Sequence, residues 1–337
     1  MRQRYPRYSV FQLCSGSLLL KAKSIGRSAD MDLSIVIVNW NVKNLLRNCL
    51  QALLDAGELA PSLTTEIIVV DSASTDDSPN LVRDQFPQVR LIASEQNLGY
   101  AKGNNVGATA AQGRYIFLLN PDTVVQPEAL APMIDYMEAH PKVGALGPQL
   151  LWPDGTIQSS RRRFPTLGSL FWESTLLGQW FPHNRHAQCY HLADQPADQP
   201  QKVDWVVGAA ILIRREAWLQ VGLIDETFFL YFEETDWCRR SAQAGWEMHY
   251  LPTAQVTHYE GKSSEQVSPA RTLRFQRSKI HYTRKYFGPG WATMLRLFLW
   301  TTFAFQWTEE SLKWLLGHRR ALHRERMVAY SQVLRGL

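Results

Sequence analysis

The sequence has few cysteines and no long uninterrupted hydrophobic segment. Its 337 residues include four cysteines, which are scattered and show neither a metal-binding spacing nor a disulfide framework. The apolar stretch at residues 291–307 is shorter than the roughly 20 residues of a spanning helix and contains Arg296. The first 30 residues are basic and mixed in character, which makes a poor secretory signal. We therefore expect reduced thiols and a cytosolic protein.

Glycine-rich phosphate loops are missing after the first predicted strand, at residues 33–38. Neither GxGxxG nor a Walker-type sequence follows it, which argues against a dinucleotide enzyme and a P-loop NTPase. Hydrophobic residues make up 45% of the chain and charged residues 20%, which excludes a disordered protein. The length fits one large α/β domain with an appendage, or two modest domains.

Strand and helix patterns alternate through the first half of the chain. Short links between such elements favour a sheet of mainly parallel strands covered by helices on both faces. Periodicity is lost between residues 152 and 204, and a buried strand is predicted again at 205–213. The other predicted strands lie at 33–38, 66–71, 89–92, 115–119 and 143–147, and the predicted helices at 45–53, 78–86, 105–111, 127–140 and 215–221.

The C-terminal part is apolar and basic. Residues 291–307 contain three tryptophans between basic flanks, and residues 312–337 are amphipathic and rich in arginine. This composition is typical of helices that lie in a membrane interface, and a net charge of +5 favours an anionic surface. A helix packed on the protein itself or on a second subunit is the alternative. The basic ends would also suit nucleic acid, which the motifs described next argue against.

Polar motifs follow the predicted strand ends in a defined order. They are VDSAS at 70–74, NLGYAKGNN at 97–105, NPD at 120–122 and FEETDW at 232–237. Pro121 cannot donate to a sheet ladder, so it ends the strand and leaves Asp122 where open α/β sheets bind ligands. Each motif also has a purely structural interpretation, as a cap, a turn or a helix start with acids near the dipole. The occurrence of all of them in this order favours a functional site.

With these motifs the chain resembles inverting glycosyltransferases of family 2, in particular their rhamnosyltransferase-like bacterial branch. The resemblance covers about residues 32–262 and includes SIVIVNWN at 34–41, WVVGA at 205–209 and a later histidine. It implies a GT-A fold, a Rossmann-like mixed, mainly parallel α/β sheet with helices on both faces. The apolar and basic pattern at 291–337 adds C-terminal amphipathic helices after this fold. We expect an N-terminal extension at 1–30, a catalytic domain at 31–265 with an irregular acceptor-side region at 152–204, and a membrane-associating segment at 266–337.

The resemblance also implies a binding site for a nucleoside-diphosphate sugar. Asn39 and Asp71 would contact the base and the ribose, because a carboxylate accepts hydrogen bonds from N–H groups and hydroxyls. The loop at 97–104 would cover the nucleotide, with Lys102 near the diphosphate. The predicted set is Asn39, Asp71, Asn97, Gly99, Lys102, Asn104 and Asn120.

A divalent cation, Mg²⁺ or Mn²⁺, is expected at Asp122 on the same grounds. The cation would bridge the diphosphate through oxygen ligands. Asn120 stands where the more common D-x-D sequence has its first acid, so this site carries less negative charge. His258 is expected as a further ligand, with a structural histidine as the alternative.

The family resemblance implies an acidic pair, Glu-Asp, at the start of the helix at 233–237. Glu234 occupies the second position of this pair and is the expected general base, and Asp236 is the competing residue. The acceptor hydroxyl would displace the nucleoside diphosphate with inversion, without a covalent intermediate. Trp205, Gly208 and Arg161 are expected on the acceptor side, where arginine can bind a phosphate. Core packing of Trp205 and a solvated basic run at 161–163 are the alternatives.

The expected activity is that of a metal-dependent hexosyltransferase (EC 2.4). It would move rhamnose or another hexose to a hydroxyl of a saccharide, free or linked to a polyprenyl diphosphate, in the synthesis of a cell-surface glycan. The enzyme would work on the inner face of the cell membrane. Two other functions fit the same motifs, a polyprenyl-phosphate sugar synthase and a nucleotide-sugar-binding protein without catalysis.

Overall fold

A computed structural model describes residues 31–173, 175–259, 268–317 and 319–337. The predicted extension at 1–30 and the predicted boundary at 265 lie outside these residues. The strands are β1 Leu33–Asn39, β2 Thr65–Ser72, β3 Arg90–Ser94, β4 Tyr115–Leu119, β5 Thr123–Val125, β6 Val143–Leu151, β7 Ile157–Gln158, β8 Arg161–Arg162, β9 Gln201–Val203, β10 Trp205–Val206, β11 Ala210–Arg214 and β12 Glu247–His258.

The helices cover both faces of the sheet and form the C-terminal part. They are α1 Lys43–Glu58, α2 Ser78–Gln85, α3 Gly99–Ala110, α4 Leu130–Ala139, α5 Leu167–Trp172, α6 Leu176–Trp180, α7 Arg185–Tyr190, α8 Arg215–Val221, α9 Glu233–Gln243, α10 Ser268–Phe287, α11 Pro289–Leu315 and α12 Arg320–Gly336.

The main sheet is mixed and mainly parallel, as expected. Its order is β3-β2-β1-β4-β11-β6-β12-β5, with β7 on β6 and β9 on β12. Strands β1 to β4 pair in parallel, whereas β11 runs antiparallel to β4 and β6. The predicted strand at 205–213 is divided in two, because β10 pairs with β8 in a separate small sheet. Ala209 accepts a hydrogen bond from the Asn120 N–H at 2.9 Å, so the chain enters β11 beside the end of β4.

Helix α3 lies unusually close to the sheet. A Cβ atom at Gly103 would come within 2.6 Å of Val38 Cγ1, and one at Gly107 would overlap Val36. These two glycines therefore set the distance between the helix and β1. The helix begins at Gly99, six residues before the predicted start, because packing on the sheet outweighs the low helix propensity of its glycines.

The region at 152–204 consists of short elements rather than unstructured chain. Helices α5, α6 and α7 have five or six residues each, too few to produce a recognisable apolar periodicity. Thr166 and Ser169 form a reciprocal capping box at the start of α5.

The C-terminal helices pack on one another and on the α/β part. Tyr282 of α10 is buried with Phe228 and Phe232, and Leu295 and Leu299 of α11 form a further apolar cluster. None of the helices in the described ranges is both long and apolar enough to cross a membrane. The outer face of α11 carries exposed apolar side chains, namely Trp291, Met294, Leu297, Trp300, Phe305, Leu312 and Leu315.

Candidate active site

A cleft of about 300 Å³ lies at the carboxyl ends of β1, β2 and β4. Several predicted site residues line this cleft, namely Asn97, Gly99, Asn120, Asp122, Gly208, Glu234 and His258. The other predicted site residues do not line the cleft, namely Asn39, Asp71, Lys102, Asn104, Trp205, Arg161 and Asp236. Motifs that are distant in sequence therefore meet at one cavity.

Asp122 and His258 face each other at one end of this cleft. Both side chains are buried, and the distance from Asp122 Oδ1 to His258 Nε2 is 3.5 Å. The turn from β4 into β5 carries Asp122, and β5 pairs with β12 so that Thr123 lies opposite His258. The Tyr259 N–H donates to the Asp122 carbonyl at 2.9 Å and fixes the two segments together.

The hydrogen bonds of His258 leave one ring nitrogen available as a ligand. Its Nδ1 lies 2.9 Å from Gln158 Oε1, an acceptor, so the proton belongs on Nδ1 and Nε2 carries the lone pair. This Nε2 is buried and has no hydrogen-bond partner among the described residues. An imidazole nitrogen beside a carboxylate oxygen suits a divalent cation. The described chain has no third His, Cys, Asp or Glu near enough to complete a protein cage. Further ligands would have to come from substrate or water.

Asn39 and Asp71 form a buried pair behind the cleft. They are register partners on β1 and β2, and Asn39 Nδ2 donates to Asp71 Oδ1 at 2.8 Å. Asp71 Oδ2 accepts from the Ser74 N–H at 2.9 Å. These bonds hold the ends of β1 and β2, where Trp40 and Ser72 line the cleft.

The acid pair at the start of α9 is held by strained backbone. Tyr231 and Phe232 both adopt positive φ, at 70° and 68°, where residues other than glycine are uncommon. Glu234 Oε1 accepts from the Gly208 N–H at 3.4 Å, and the Oε2 atoms of Glu233 and Glu234 have no partner among the described residues. Both glutamates follow this turn directly and line the cleft.

Burial raises the pKa of both glutamates above the usual glutamate value. The negative charge of Glu234 raises the pKa of Glu233 further. On Glu234 the rise is opposed by backbone N–H groups, including that of Gly208, and by the positive charge of Arg162. Glu234 is consequently the more easily ionised of the two and the better proton acceptor at neutral pH.

Asp236, the competing candidate, is buried away from the cleft. Its carboxylate accepts from Arg240 Nε at 2.8 Å and from the Tyr286 hydroxyl at 2.7 Å, and Lys285 Nζ lies 2.6 Å away. These contacts connect α9 to α10 and occupy both carboxylate oxygens. Glu234 is therefore the candidate base that the structure brings to the cavity.

Of the predicted acceptor-side residues, Gly208 lines the cleft, whereas Arg161 and Trp205 do not. Arg161 donates to the Pro196 and Gln195 carbonyls and stacks on a tyrosine outside the cleft. Its neighbour Arg162 lines the cleft. Trp205 is buried and donates to the Arg163 carbonyl at 3.0 Å, so core packing accounts for it.

Arg271 and Arg274 of α10 also line the cleft, and the sequence interpretation missed both. They lie beyond the segment that carries the family resemblance, in a region interpreted as membrane-associating. Lys102 is exposed on α3 outside the lining, and Asn104 donates to the Tyr100 carbonyl at 3.0 Å.

Comparisons with known proteins found a matching family model and similar sequences. The model of the family described as Glycosyl transferase family 2 matches residues 34–199. N-acetylglucosaminyl-diphospho-decaprenol L-rhamnosyltransferase of Mycobacterium tuberculosis (strain ATCC 25618 / H37Rv) is 30% identical over 268 residues, 75% of this chain and 84% of the relative. Rhamnosyltransferase WbbL of Escherichia coli (strain K12) is 28% identical over 171 residues, 48% of this chain and 61% of the relative.

The fold has a counterpart among solved structures. A crystal structure of GalNAc-T7 with UDP, GalNAc and Mn²⁺ superposes with a TM-score of 0.50 at 16% identity, covering 68% of this chain and 43% of that chain. At this identity the similarity concerns the fold alone, and it confirms the expected GT-A-like architecture.

The buried acid pair predicts a pH-dependent stability. The pKa of Glu233 is raised in the folded state, so its contribution to stability is intact below the usual value of about 4.5 and is lost as pH rises towards the folded value. Glu233→Gln removes this loss and should raise the free energy of unfolding at neutral pH by on the order of 1–3 kcal/mol. Urea unfolding between pH 4 and pH 8 measures the difference.

The matched control is Glu325→Gln, which changes an exposed carboxylate on α12. Its free energy of unfolding should stay close to that of the wild type throughout this pH range. A Glu233→Gln variant that is stabilised equally at pH 4 and pH 8 would contradict the buried-charge explanation.

Proposed function

Because this chain belongs to glycosyltransferase family 2, we propose that it transfers a deoxyhexose such as rhamnose from a nucleoside diphosphate to a saccharide hydroxyl on a prenyl diphosphate. The observation that carries the proposal is the cleft in which Asp122 and His258 face each other and Glu234 presents an unpartnered oxygen. The name of the mycobacterial relative supplies the substrate class, a diphospho-decaprenol acceptor and an L-rhamnosyl group. The product would serve cell-surface glycan synthesis.

The donor nucleotide occupies the part of the cleft formed by the ends of β1 and β2. Trp40, Ser72 and Asn97 line this part, and the Asn39–Asp71 pair holds the first two in place. Asp122 and His258 would hold Mg²⁺ or Mn²⁺ beside the donor diphosphate. A cation there supplies charge neutralisation for the leaving diphosphate.

Glu234 acts as the general base. The Gly208 N–H holds one carboxylate oxygen, and the other accepts the proton of the acceptor hydroxyl. The hydroxyl oxygen forms a bond to the anomeric carbon while the bond from that carbon to the diphosphate oxygen breaks. A single displacement of this kind inverts the anomeric configuration and needs no enzyme nucleophile.

The enzyme attaches to the membrane surface through α11 and α12. The exposed apolar face of α11 includes Leu297 and Trp300, which are 62% and 50% exposed. Helix α12 adds exposed arginines, including Arg320 and Arg324. Apolar side chains insert into a membrane interface, and basic side chains beside them are attracted to its anionic lipids. This attachment would place the cleft near a lipid-linked acceptor.

Removal of the base tests the catalytic assignment. Glu234→Gln keeps the size of the side chain but cannot accept a proton, so kcat should fall by about 10²–10⁴-fold. Transfer is measured as release of nucleoside diphosphate and formation of the glycosylated acceptor with Mn²⁺ present. Donor binding, measured by calorimetry, should persist because the donor contacts lie elsewhere in the cleft.

Glu325→Gln again provides the control and should retain wild-type turnover. Mass spectrometry of the product identifies the new bond, and a sugar phosphodiester in place of a glycosidic bond would assign a polyprenyl-phosphate synthase. Turnover of Glu234→Gln within a few-fold of the wild type would reject Glu234 as the base.

A charged substitution on α11 tests whether this helix attaches the protein to membranes. Leu297→Glu introduces a carboxylate into the exposed apolar face and should reduce co-sedimentation with phosphatidylglycerol vesicles several-fold. Leu219→Glu is the matched control, since Leu219 is 71% exposed on α8, outside α11 and α12. Equal vesicle binding by both variants would show that the α11 face is not the attachment surface.

A further inference from the structure

We propose that Arg274 and Arg271 of α10, with Arg162 of β8, form a second anion site that binds the diphosphate of the acceptor. This site is separate from the donor diphosphate at Asp122 and His258. The inference rests on the proposed function and adds the residues by which the enzyme would recognise a prenyl-diphosphate acceptor.

Arg274 is the central residue of this site. It lies half-buried in the cleft wall, with its guanidinium carbon 4.4 Å from the centre of the Phe229 ring. No carboxylate pairs with it among the described residues. A partly desolvated guanidinium without a paired carboxylate favours an anionic ligand in the cleft. The aromatic platform holds the guanidinium in place while its N–H groups remain available for such a ligand.

Arg271 and Arg162 add positive charge from two different segments. Arg271 Nε donates to the Tyr231 hydroxyl at 2.7 Å, which orients its guanidinium in the cleft wall. Arg162 donates to Ser159 Oγ at 2.9 Å, and its charge lowers the pKa of Glu234. Guanidinium groups bind phosphate oxygens through paired N–H donors, so three of them around one cavity suit a diphosphate.

The position of α10 favours the acceptor diphosphate over that of the donor. Arg271 and Arg274 contact Tyr231 and Phe229, in the loop that leads directly into Glu234. Ser278 fixes the helix to the same loop by donating to the Leu230 carbonyl at 2.8 Å. The base must contact the acceptor hydroxyl, and a diphosphate on the anomeric carbon of the acceptor lies only one sugar ring from that hydroxyl.

The same helix is joined to the proposed membrane surface. Leu273 and Ile280 of α10 pack in one cluster with Leu295 and Leu299 of α11. The arginines and the exposed apolar face of α11 therefore belong to one helical unit. A lipid chain attached to a diphosphate needs this combination, an anion site for its head and an apolar surface for its tail.

Binding of a soluble prenyl diphosphate tests the site without catalysis. Geranyl diphosphate is titrated into the protein in EDTA, so that no metal site contributes, and binding is measured by calorimetry. Arg274→Gln should weaken this binding about tenfold or more, as expected for loss of charged hydrogen bonds. Arg284→Gln is the matched control, because Arg284 lies exposed on the same helix outside the cleft.

Kinetics with two acceptors identify the source of the diphosphate. The same saccharide is offered as a prenyl diphosphate and as an octyl glycoside, and Arg274→Gln should reduce the preference for the diphosphate acceptor about tenfold. An unchanged preference, or a tenfold rise in donor KM, would overturn the inference. Equal geranyl diphosphate binding by wild type and variant would also overturn it. Absence of transfer by the wild type, with binding still sensitive to Arg274, would reject only the proposed function.

Discussion

The architecture of the cleft depends on one arrangement, a buried carboxylate facing a buried imidazole nitrogen at 3.5 Å. Asp122 and His258 are far apart in sequence, and the pairing of β5 with β12 brings them together. Gln158 fixes the ring so that its unpartnered nitrogen points to Asp122. A buried nitrogen without a partner is costly, and binding of the proposed cation and diphosphate would offset that cost.

At the start of α9, as at Asp122 and His258, some side chains line the cleft while neighbouring side chains hold them in place. Positive φ values at Tyr231 and Phe232 and the buried acids oppose folding, yet both Glu233 and Glu234 line the cleft directly after this turn. Support comes from a neighbouring network in which Asp236 is held by Arg240, Lys285 and Tyr286. Helix α9, which carries Glu234, is thereby tied to α10, and α10 itself forms part of the cleft wall through Arg271 and Arg274.

Much of this arrangement could be predicted from the sequence, for identifiable reasons. Strand β4 and the residue that ends it were predicted because Pro121 cannot continue a ladder. The α/β class followed from the alternation of strand and helix patterns, and the GT-A fold from the family resemblance that the ordered motifs carry. Side-chain direction was harder to predict. Residues two apart on a helix point to different faces, so Glu234 enters the cleft and Asp236 does not. Arg274 could not be foreseen, because only tertiary packing places α10 against the loop before α9.

We propose that Asp122 and His258 together bind the metal that holds the donor diphosphate. The most direct measurement is the anomalous scattering of Mn²⁺ in crystals grown with a nucleoside diphosphate. We expect a single strong peak within coordination distance of Asp122 Oδ1, His258 Nε2 and the diphosphate oxygens. A peak elsewhere in the cleft, or a bound diphosphate without metal at this pair, would contradict it.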